Sequence, residues 1–287
     1  MSVTKPRPPQ SLRLKDGRVI RFPAVMGILN LTPDSFSDGG RFLDPDQAAD
    51  HALAMEAAGA SIIDIGGEST RPGAAAVAVD TELERVLPVI EALRPKLKVP
   101  ISIDTRKAVV ASAALDEGAA IVNDVSGLTF DPVLAHSVAQ AGAALILMHM
   151  RGTPATMNRL TRYRDVVAEV CAFLDRQAGV AIGAGVLRRR IIVDPGLGFA
   201  KNARHNLELI GGLPKICALG YPVLVGASRK RFVRKIAGDD ECDLLFGTAA
   251  VNALAIAGGA SIIRVHDPGP AAAVMKMAVA IAESIRD

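Results

Sequence analysis

Acidic, amide and basic side chains in this sequence gather at one kind of place, directly after or at the end of short apolar runs. Asn30 follows the run 25–29, and the loop Glu68-Ser69-Thr70-Arg71 follows 61–65. Asp104 closes 101–104, Asn123 lies in 121–125, His149 follows 144–148, and Asp194 closes 191–194. Ser228-Arg229-Lys230 follows 221–225, and Arg264 and His266 end the run 261–265. Asp104, Asn123 and Asp194 supply acceptors, with Asn123 also a donor. A carboxylate facing two parallel N–H groups suits an amidine-like edge, such as that of a 2-amino-4-oxo heterocycle. Lys230 offers donors to a carbonyl or ring nitrogen. Arg71, Arg264 and His266 add positive charge, and Asn30 is an oxygen ligand of the kind Mg²⁺ accepts while keeping water and phosphate. Taken singly, each has a plainer reading. Asp104 caps the next helix, Asn123 satisfies a loop, Met148 is core, His266 starts a helix, and Lys230 sits on a solvated basic face. Together, so many polar strand ends would be expensive to bury unpaired. The implied ligand is a flat polar heterocycle carrying a phosphate leaving group.

The elements that must position these residues repeat. Helix end, glycine, apolar strand and polar loop recur at 57–73, 117–125, 140–149 and 257–266. Short strands apolar on both faces belong to parallel sheets. Strands are predicted at 25–29, 61–65, 101–104, 121–125, 144–148, 191–194, 221–225 and 261–265. Helices are predicted at 45–57, 81–93, 106–117, 132–141, about 161–178, 202–210 and 270–285, with one from 229 and another at 247–257 after the seventh strand. Eight such units at roughly 33 residues each predict an α/β fold of the (β/α)8 TIM-barrel type, whose site lies at the C-terminal strand ends. A doubly wound open sheet is the alternative, but the segment after the first strand lacks the glycine spacing of a dinucleotide site. Residues 12–22, alternating around Lys15-Asp16-Gly17, predict a β-hairpin closing one end of the barrel. The domain expectation is an N-terminal extension and hairpin at 1–20 and a single catalytic barrel at 21–287. The long glycine-bearing loops 30–44 and 66–79 are expected to close over the site.

Composition narrows the function class. The 287 residues are 50% hydrophobic, and the net charge of +3 is too near neutral to indicate a nucleic-acid partner. Three cysteines, Cys171, Cys217 and Cys242, share no metal-binding spacing and suggest a reducing, cytoplasmic setting. Residues 1–10 are Pro-rich and basic, and no stretch reaches the ~18 apolar residues of a membrane span. With no Trp and only 3% aromatic residues, a flat ligand must be stacked by Met, Arg or one of few Phe. No Ser–His or Cys–His pairing offers a nucleophile.

The segments Met26-Gly-Ile-Leu-Asn-Leu-Thr-Pro-Asp-Ser-Phe-Ser-Asp-Gly-Gly40 and Asp64-Ile-Gly-Gly-Glu-Ser-Thr-Arg-Pro-Gly73 resemble the two signature segments of the dihydropteroate synthases. Ser102-Ile-Asp-Thr-Arg106, Asn123-Asp-Val-Ser-Gly127, Leu147-Met-His-Met-Arg-Gly-Thr-Pro154, Asp194-Pro-Gly-Leu-Gly-Phe-Ala-Lys201, Ser228-Arg-Lys230 and Arg264-Val-His266 agree with it. The resemblance covers nearly all of the chain beyond the first ~20 residues. It implies condensation of 6-hydroxymethyl-7,8-dihydropterin diphosphate with 4-aminobenzoate, releasing pyrophosphate, in folate synthesis. It implies Mg²⁺ at Asn30 and a pterin pocket of Asp104, Asn123, Asp194 and Lys230, with Met148 and Arg264 on the ring faces and Phe199 nearby. It places pyrophosphate at Asn30, Arg71, Arg264 and His266, and aminobenzoate near Phe36, Thr70, Pro72, Ser228 and Lys230. The catalytic set it implies is Arg71, Lys230, Arg264 and His266. It also implies a homodimer and a sulfonamide target. Ala200 stands where many members have Gly, and no insertion disturbs Ser69-Thr70-Arg71. A pterin-dependent methyl-transfer domain would share Asp104, Asn123 and Asp194 but would need neither the Ser-Thr-Arg-Pro loop nor Arg-Val-His, and the intact strand-end chemistry argues against a non-catalytic pterin-binding paralogue.

Overall fold

A computed structural model describes residues 10–32, 44–71 and 73–284. Two short antiparallel strands come first, β1 (Ser11–Arg13) and β2 (Val19–Arg21). Eight parallel strands follow: β3 (Ala24–Asn30), β4 (Ile62–Gly66), β5 (Ile101–Asp104), β6 (Ile121–Asp124), β7 (Ala144–Met148), β8 (Ile191–Asp194), β9 (Leu224–Val225) and β10 (Ile262–Val265). Each of β3 to β7 pairs with the next, and β10 pairs with both β3 and β9. The last seam, between β8 and β9, is a bridge from Val193 to Val223 and a 2.9 Å bond from Val193 N–H to Pro222 O. The sheet thus closes into the expected barrel.

Helices α1 (Pro45–Ala57), α2 (Val79–Leu93), α3 (Ala108–Asp116), α4 (Leu134–Ala141), α5 (Val166–Gly183), α6 (Ala203–Gly211), α7 (Leu213–Cys217), α8 (Arg231–Ala237), α9 (Glu241–Ala257) and α10 (Pro268–Ser284) surround it. Local chemistry sets several starts. Asp44 caps α1 through the N–H of Asp46, with Pro45 in the first turn. Asp165 caps α5, and Asp240 caps α9 through the N–H of Asp243. That cap starts α9 six residues before the predicted 247. The helix predicted from 106 begins at Ala108, because Thr105, Arg106 and Lys107 form a turn of their own. The seventh strand shrinks to two residues beside the seam that is held by a bridge rather than a ladder.

Side chains alternate along each strand. On β4, Ile63 and Ile65 face the helices, while Ile62 and Asp64 face the barrel interior. The lower interior is apolar, with Met26, Ile62, Ile121, Ile146, Ile192, Leu224 and Ile262 in one cluster. Leu12, Leu14 and Ile20 of the hairpin join that cluster, so the hairpin plugs the end where the strands begin. The upper interior is polar, which leaves the mouth at the opposite end. Leu12 is 1% exposed, and Leu12→Ala should cost about 2–5 kcal/mol in urea unfolding. Ligand affinity at the far mouth should not change.

Candidate active site

Arg264, on β10, reaches across the barrel interior. Its Nε donates to Asp64 Oδ2 at 2.6 Å and its Nη2 to Asp104 Oδ2 at 2.8 Å. Asp64 Oδ2 also accepts from Asn123 Nδ2 at 2.9 Å. One connected chain, Asn123–Asp64–Arg264–Asp104, therefore ties β6, β4, β10 and β5. Burial opposes the arginine's charge, but Asp64 and Asp104 hold its pKa above the ordinary value. Burial raises the Asp104 carboxyl, Arg264 pulls it back, and Asp64 adds to the rise. Asp104 is thus no helix cap, since Lys107 occupies the cap position of α3.

A second group faces this chain. Asp194 ends β8, and its Oδ1 accepts from Gly196 N–H at 2.6 Å. Lys230 donates to Leu197 O and lies 4.6 Å from the Phe199 ring centre. Burial pushes the lysine down to about 8, against the attraction of Asp194. Gly198 makes this approach possible, because a Cβ there would sit 3.0 Å from Lys230 Cδ. Met148 packs with Val125, Met150, Met157 and Ala200, with Phe199 against them, as an apolar wall. Three carboxyl groups (Asp64, Asp104, Asp194) thus meet two cations (Arg264, Lys230). Asp64 Oδ1 is buried with no partner among the described residues. Acceptors exceed donors, which favours a ligand edge rich in N–H groups.

A third group lies beside β10. Ser228 Oγ accepts the backbone N–H of His266 at 3.2 Å and lies 3.0 Å from its Nδ1, a serine–histidine contact the sequence did not suggest. The hydroxyl proton is then free to donate to Nδ1, leaving the ring proton on Nε2. Burial, then Arg264 and Arg229, push His266 down to about 4, and Arg71 adds to the effect. The expected positive charge on His266 is therefore corrected: it is a neutral donor at pH 7, and the cations are Arg71 and Arg264. Arg71 is exposed and Thr70 half-buried on their loop. Asn30, half-buried at the end of β3, has its Oδ1 3.7 Å from the position a Cβ would take on Gly66. It offers a hard oxygen at the rim. Among the described residues no group of three or more His, Cys, Asp or Glu could hold a metal, so any ion must draw most ligands from elsewhere. Phe36 and Pro72 lie outside the described residues, as does 33–43 of the expected first covering loop.

His149 does not join the mouth. It is buried against Phe173, and its Nδ1 lies 2.9 Å from Lys201 Nζ. Burial, then Lys201 and Arg151, push it down to about 2. Lys201 also donates to the carbonyls of His149, Gly196 and Phe199, and so braces the loop behind Asp194. Sequence reasoning missed Asp64, Lys201 and the anchoring role of Glu68. The signal for Asp64 was its place inside an apolar run, where an acid needs a partner.

A model of the "Pterin binding enzyme" family matches residues 26–266. A dihydropteroate synthase of Synechocystis sp. is 52% identical over 90% of this chain and 89% of its own length. The chain belongs to the dihydropteroate synthase family of pterin-binding enzymes. Two solved members superpose closely. The Yersinia pestis dihydropteroate synthase with a sulfonamide drug complex has a TM-score of 0.90 and 40% identity, covering 95% of this chain and 99% of that one. The Xanthomonas albilineans enzyme in complex with 7,8-dihydropteroate has a TM-score of 0.85 and 39% identity, covering 94% and 98%.

Ala200 adopts a left-handed φ of 51°, and its carbonyl accepts from Tyr163 OH at 3.1 Å. An L-residue there is strained by about 1–2 kcal/mol, partly offset by the entropy Gly adds to the unfolded chain. Ala200→Gly should therefore raise stability by about 0.5–1 kcal/mol in denaturant titration. The neutral histidines give a pH signature. In the unfolded chain both titrate near 6.5, so as pH falls the unfolded state takes up protons that the folded state refuses. This contribution is fully present above pH ~6.5 and is lost as pH falls below it, down to about 4 for His266 and about 2 for His149. Thermal melts should decline over that window, and His149→Gln, if folded, should decline less.

Proposed function

We propose that this chain condenses 6-hydroxymethyl-7,8-dihydropterin diphosphate with 4-aminobenzoate, forming 7,8-dihydropteroate and releasing pyrophosphate. The observation that carries the reading is the acceptor-rich mouth, where Asp104, Asn123, Asp194 and Asp64 surround Arg264 and Lys230. A pterin offers the complementary edge, an amino group and ring N–H beside a carbonyl. Its two faces meet Met148 and the Arg264 guanidinium, with Phe199 and Lys230 at one side. No observation favours a methyl-transfer domain or a non-catalytic paralogue.

In this reading the mouth acts by placing charge. The carbon bearing the diphosphate sits beside an electron-rich ring and loses pyrophosphate with cation character. Negative charge then grows on the leaving group, where Arg71, Arg264 and the His266 Nε2–H stabilise it by preorganised donation. Ser228 fixes the tautomer that makes this donation. Mg²⁺, held at Asn30 and by diphosphate oxygens and water, would supply further charge neutralisation. Carboxylates beside the ring favour the positive charge that develops on the pterin. Aminobenzoate, a neutral amine at pH 7, needs orientation more than activation. Thr70, Ser228 and Lys230 supply that surface. That the Yersinia pestis relative forms a complex with a sulfonamide drug supports reading this chain as a sulfonamide target.

A homodimer is part of the proposal. Phe246, Ala250 and Leu254 lie four residues apart and exposed on α9, and Met277 and Ile281 do so on α10, which packs beside it. Such an apolar stripe suits a second copy. A cytoplasmic setting is likewise proposed, and among the described residues no helix is long and apolar enough to cross a membrane.

Pyrophosphate release measured with both substrates, and with each alone, tests the reaction. Release that does not require aminobenzoate would overturn it. Asp194→Asn should weaken pterin binding in calorimetry by roughly ten- to a hundredfold, the value of a charged hydrogen bond. His266→Ala should lower kcat more than it weakens binding of the pterin ring, because its donation strengthens as the bond breaks.

A further inference from the structure

Glu68 follows β4 and Gly67 at the first foot of the loop that carries Thr70 and Arg71, and its side chain is only 5% exposed. Oε1 accepts from the backbone N–H of Val77, nine residues on, at 3.0 Å. The same oxygen accepts from Arg106 Nη2 at 3.0 Å. Oε2 accepts from Arg106 Nε at 3.2 Å and Lys107 Nζ at 3.1 Å. One carboxylate therefore joins both feet of the loop to the turn that directly follows Asp104. The surroundings hold that turn in place. Lys107 also binds Glu82 on α2, and the Arg106 guanidinium lies 4.1 Å from the Phe130 ring centre. Arg85 on α2 donates to Gly67 O at 2.7 Å, and a Cβ at Gly67 would lie 2.9 Å from Val86 Cγ1.

Burial alone would raise the Glu68 carboxyl, but Arg106, Val77 N–H and Lys107 more than offset it and keep it ionised. Two acids and two cations balance in this cluster, so it has no surplus charge with which to hold an outside ligand. Nearer the tip the loop rests on weaker ties. Arg71 N–H lies 3.4 Å from Ser69 Oγ, Ala74 N–H reaches Arg71 O at 3.0 Å, and Gly73 N–H reaches Pro154 O at 3.0 Å. None of these ties the tip to β4 or β5. The register of Thr70 and Arg71 against the pterin-reading strands is thus set at the feet.

We infer that Glu68 is a positioning residue for the second substrate: it locks the Thr70–Arg71 loop to the turn after Asp104, so that the aminobenzoate face forms in register with the pterin edge. The inference rests on the function proposed above. In Glu68→Gln, Oε1 can keep Val77 and Arg106 Nη2, but the new NH₂ faces Arg106 Nε and Lys107, donor against donor.

The test compares three variants of the full chain. Glu68→Gln removes the lock, Arg106→Lys keeps the charge but breaks the two-pronged contact, and Glu82→Gln loosens Lys107 from the α2 side while leaving every hydrogen-bonding group of Glu68 in place. Glu68→Gln and Arg106→Lys should raise the aminobenzoate KM by about tenfold and lower kcat, the loss expected of a charged hydrogen bond. Affinity for 6-hydroxymethylpterin without its diphosphate, read by calorimetry, should stay within about twofold of wild type, because that probe touches neither Arg71 nor the loop. Glu82→Gln should lower the melting temperature and leave the aminobenzoate KM at the wild-type value. Should Glu68→Gln fail to fold, Arg106→Lys decides the matter. If the lock variants lose only thermal stability, as Glu82→Gln does, Glu68 is a brace of the fold and the inference is wrong. If wild type itself releases no pyrophosphate, the proposed reaction fails first, and this inference falls with it.

Discussion

Arg264 lies across the inside of the barrel between two carboxylates, and the upper half of the molecule depends on that arrangement. An arginine buried among apolar side chains would be costly, and so would Asp64 or Asp104 alone. Together they share charge, with Asn123 satisfying the second lone pair of Asp64 Oδ2. The pairs do not cancel completely. Asp64 keeps an unpartnered oxygen, and Asp194 stands apart near Lys230. The fold thus carries a standing deficit of N–H donors at its mouth, which a suitable ligand relieves. Selectivity for an edge rich in N–H groups follows from that surplus of acceptors.

The lower half solves a different problem. Its layer of Met26, Ile62, Ile121, Ile192, Leu224 and Ile262 needs no partner except other apolar surface, and the hairpin supplies it through Leu12, Leu14 and Ile20. Stability and recognition are therefore separated along the barrel axis. The alternation of side chains makes that separation possible, since the same β4 that sends Ile62 into the apolar layer sends Asp64 into the polar one.

Much of this was legible in the sequence. The barrel followed from repeated apolar runs, each closed by a polar residue, and Asp104, Asn123, Asp194, Lys230, Arg264 and His266 do come to one mouth. What was not legible depends on the third dimension. Asp64 looked like part of a strand because its partner, Arg264, is 200 residues away. His149 looked like a mouth residue because it ends a strand, yet its ring turns outward to Lys201 and Phe173. His266 looked like a charge, because burial among arginines cannot be read from spacing. The early start of α9 was missed because Asp240 caps it ahead of a segment with little apolar period. Ala200 marked a departure by type, but only its φ of 51° says what the departure costs.

The hairpin has a practical meaning for how the molecule can be handled. It seals the end of the barrel where the strands begin, and its turn, Lys15-Asp16-Gly17, is exposed on that side. The mouth faces the other way. A surface or bead attached at that exposed turn would therefore leave the ligand entrance facing the solution. Immobilisation by that route gives a uniformly oriented layer in which every mouth stays reachable, whereas attachment through lysines near the rim would not.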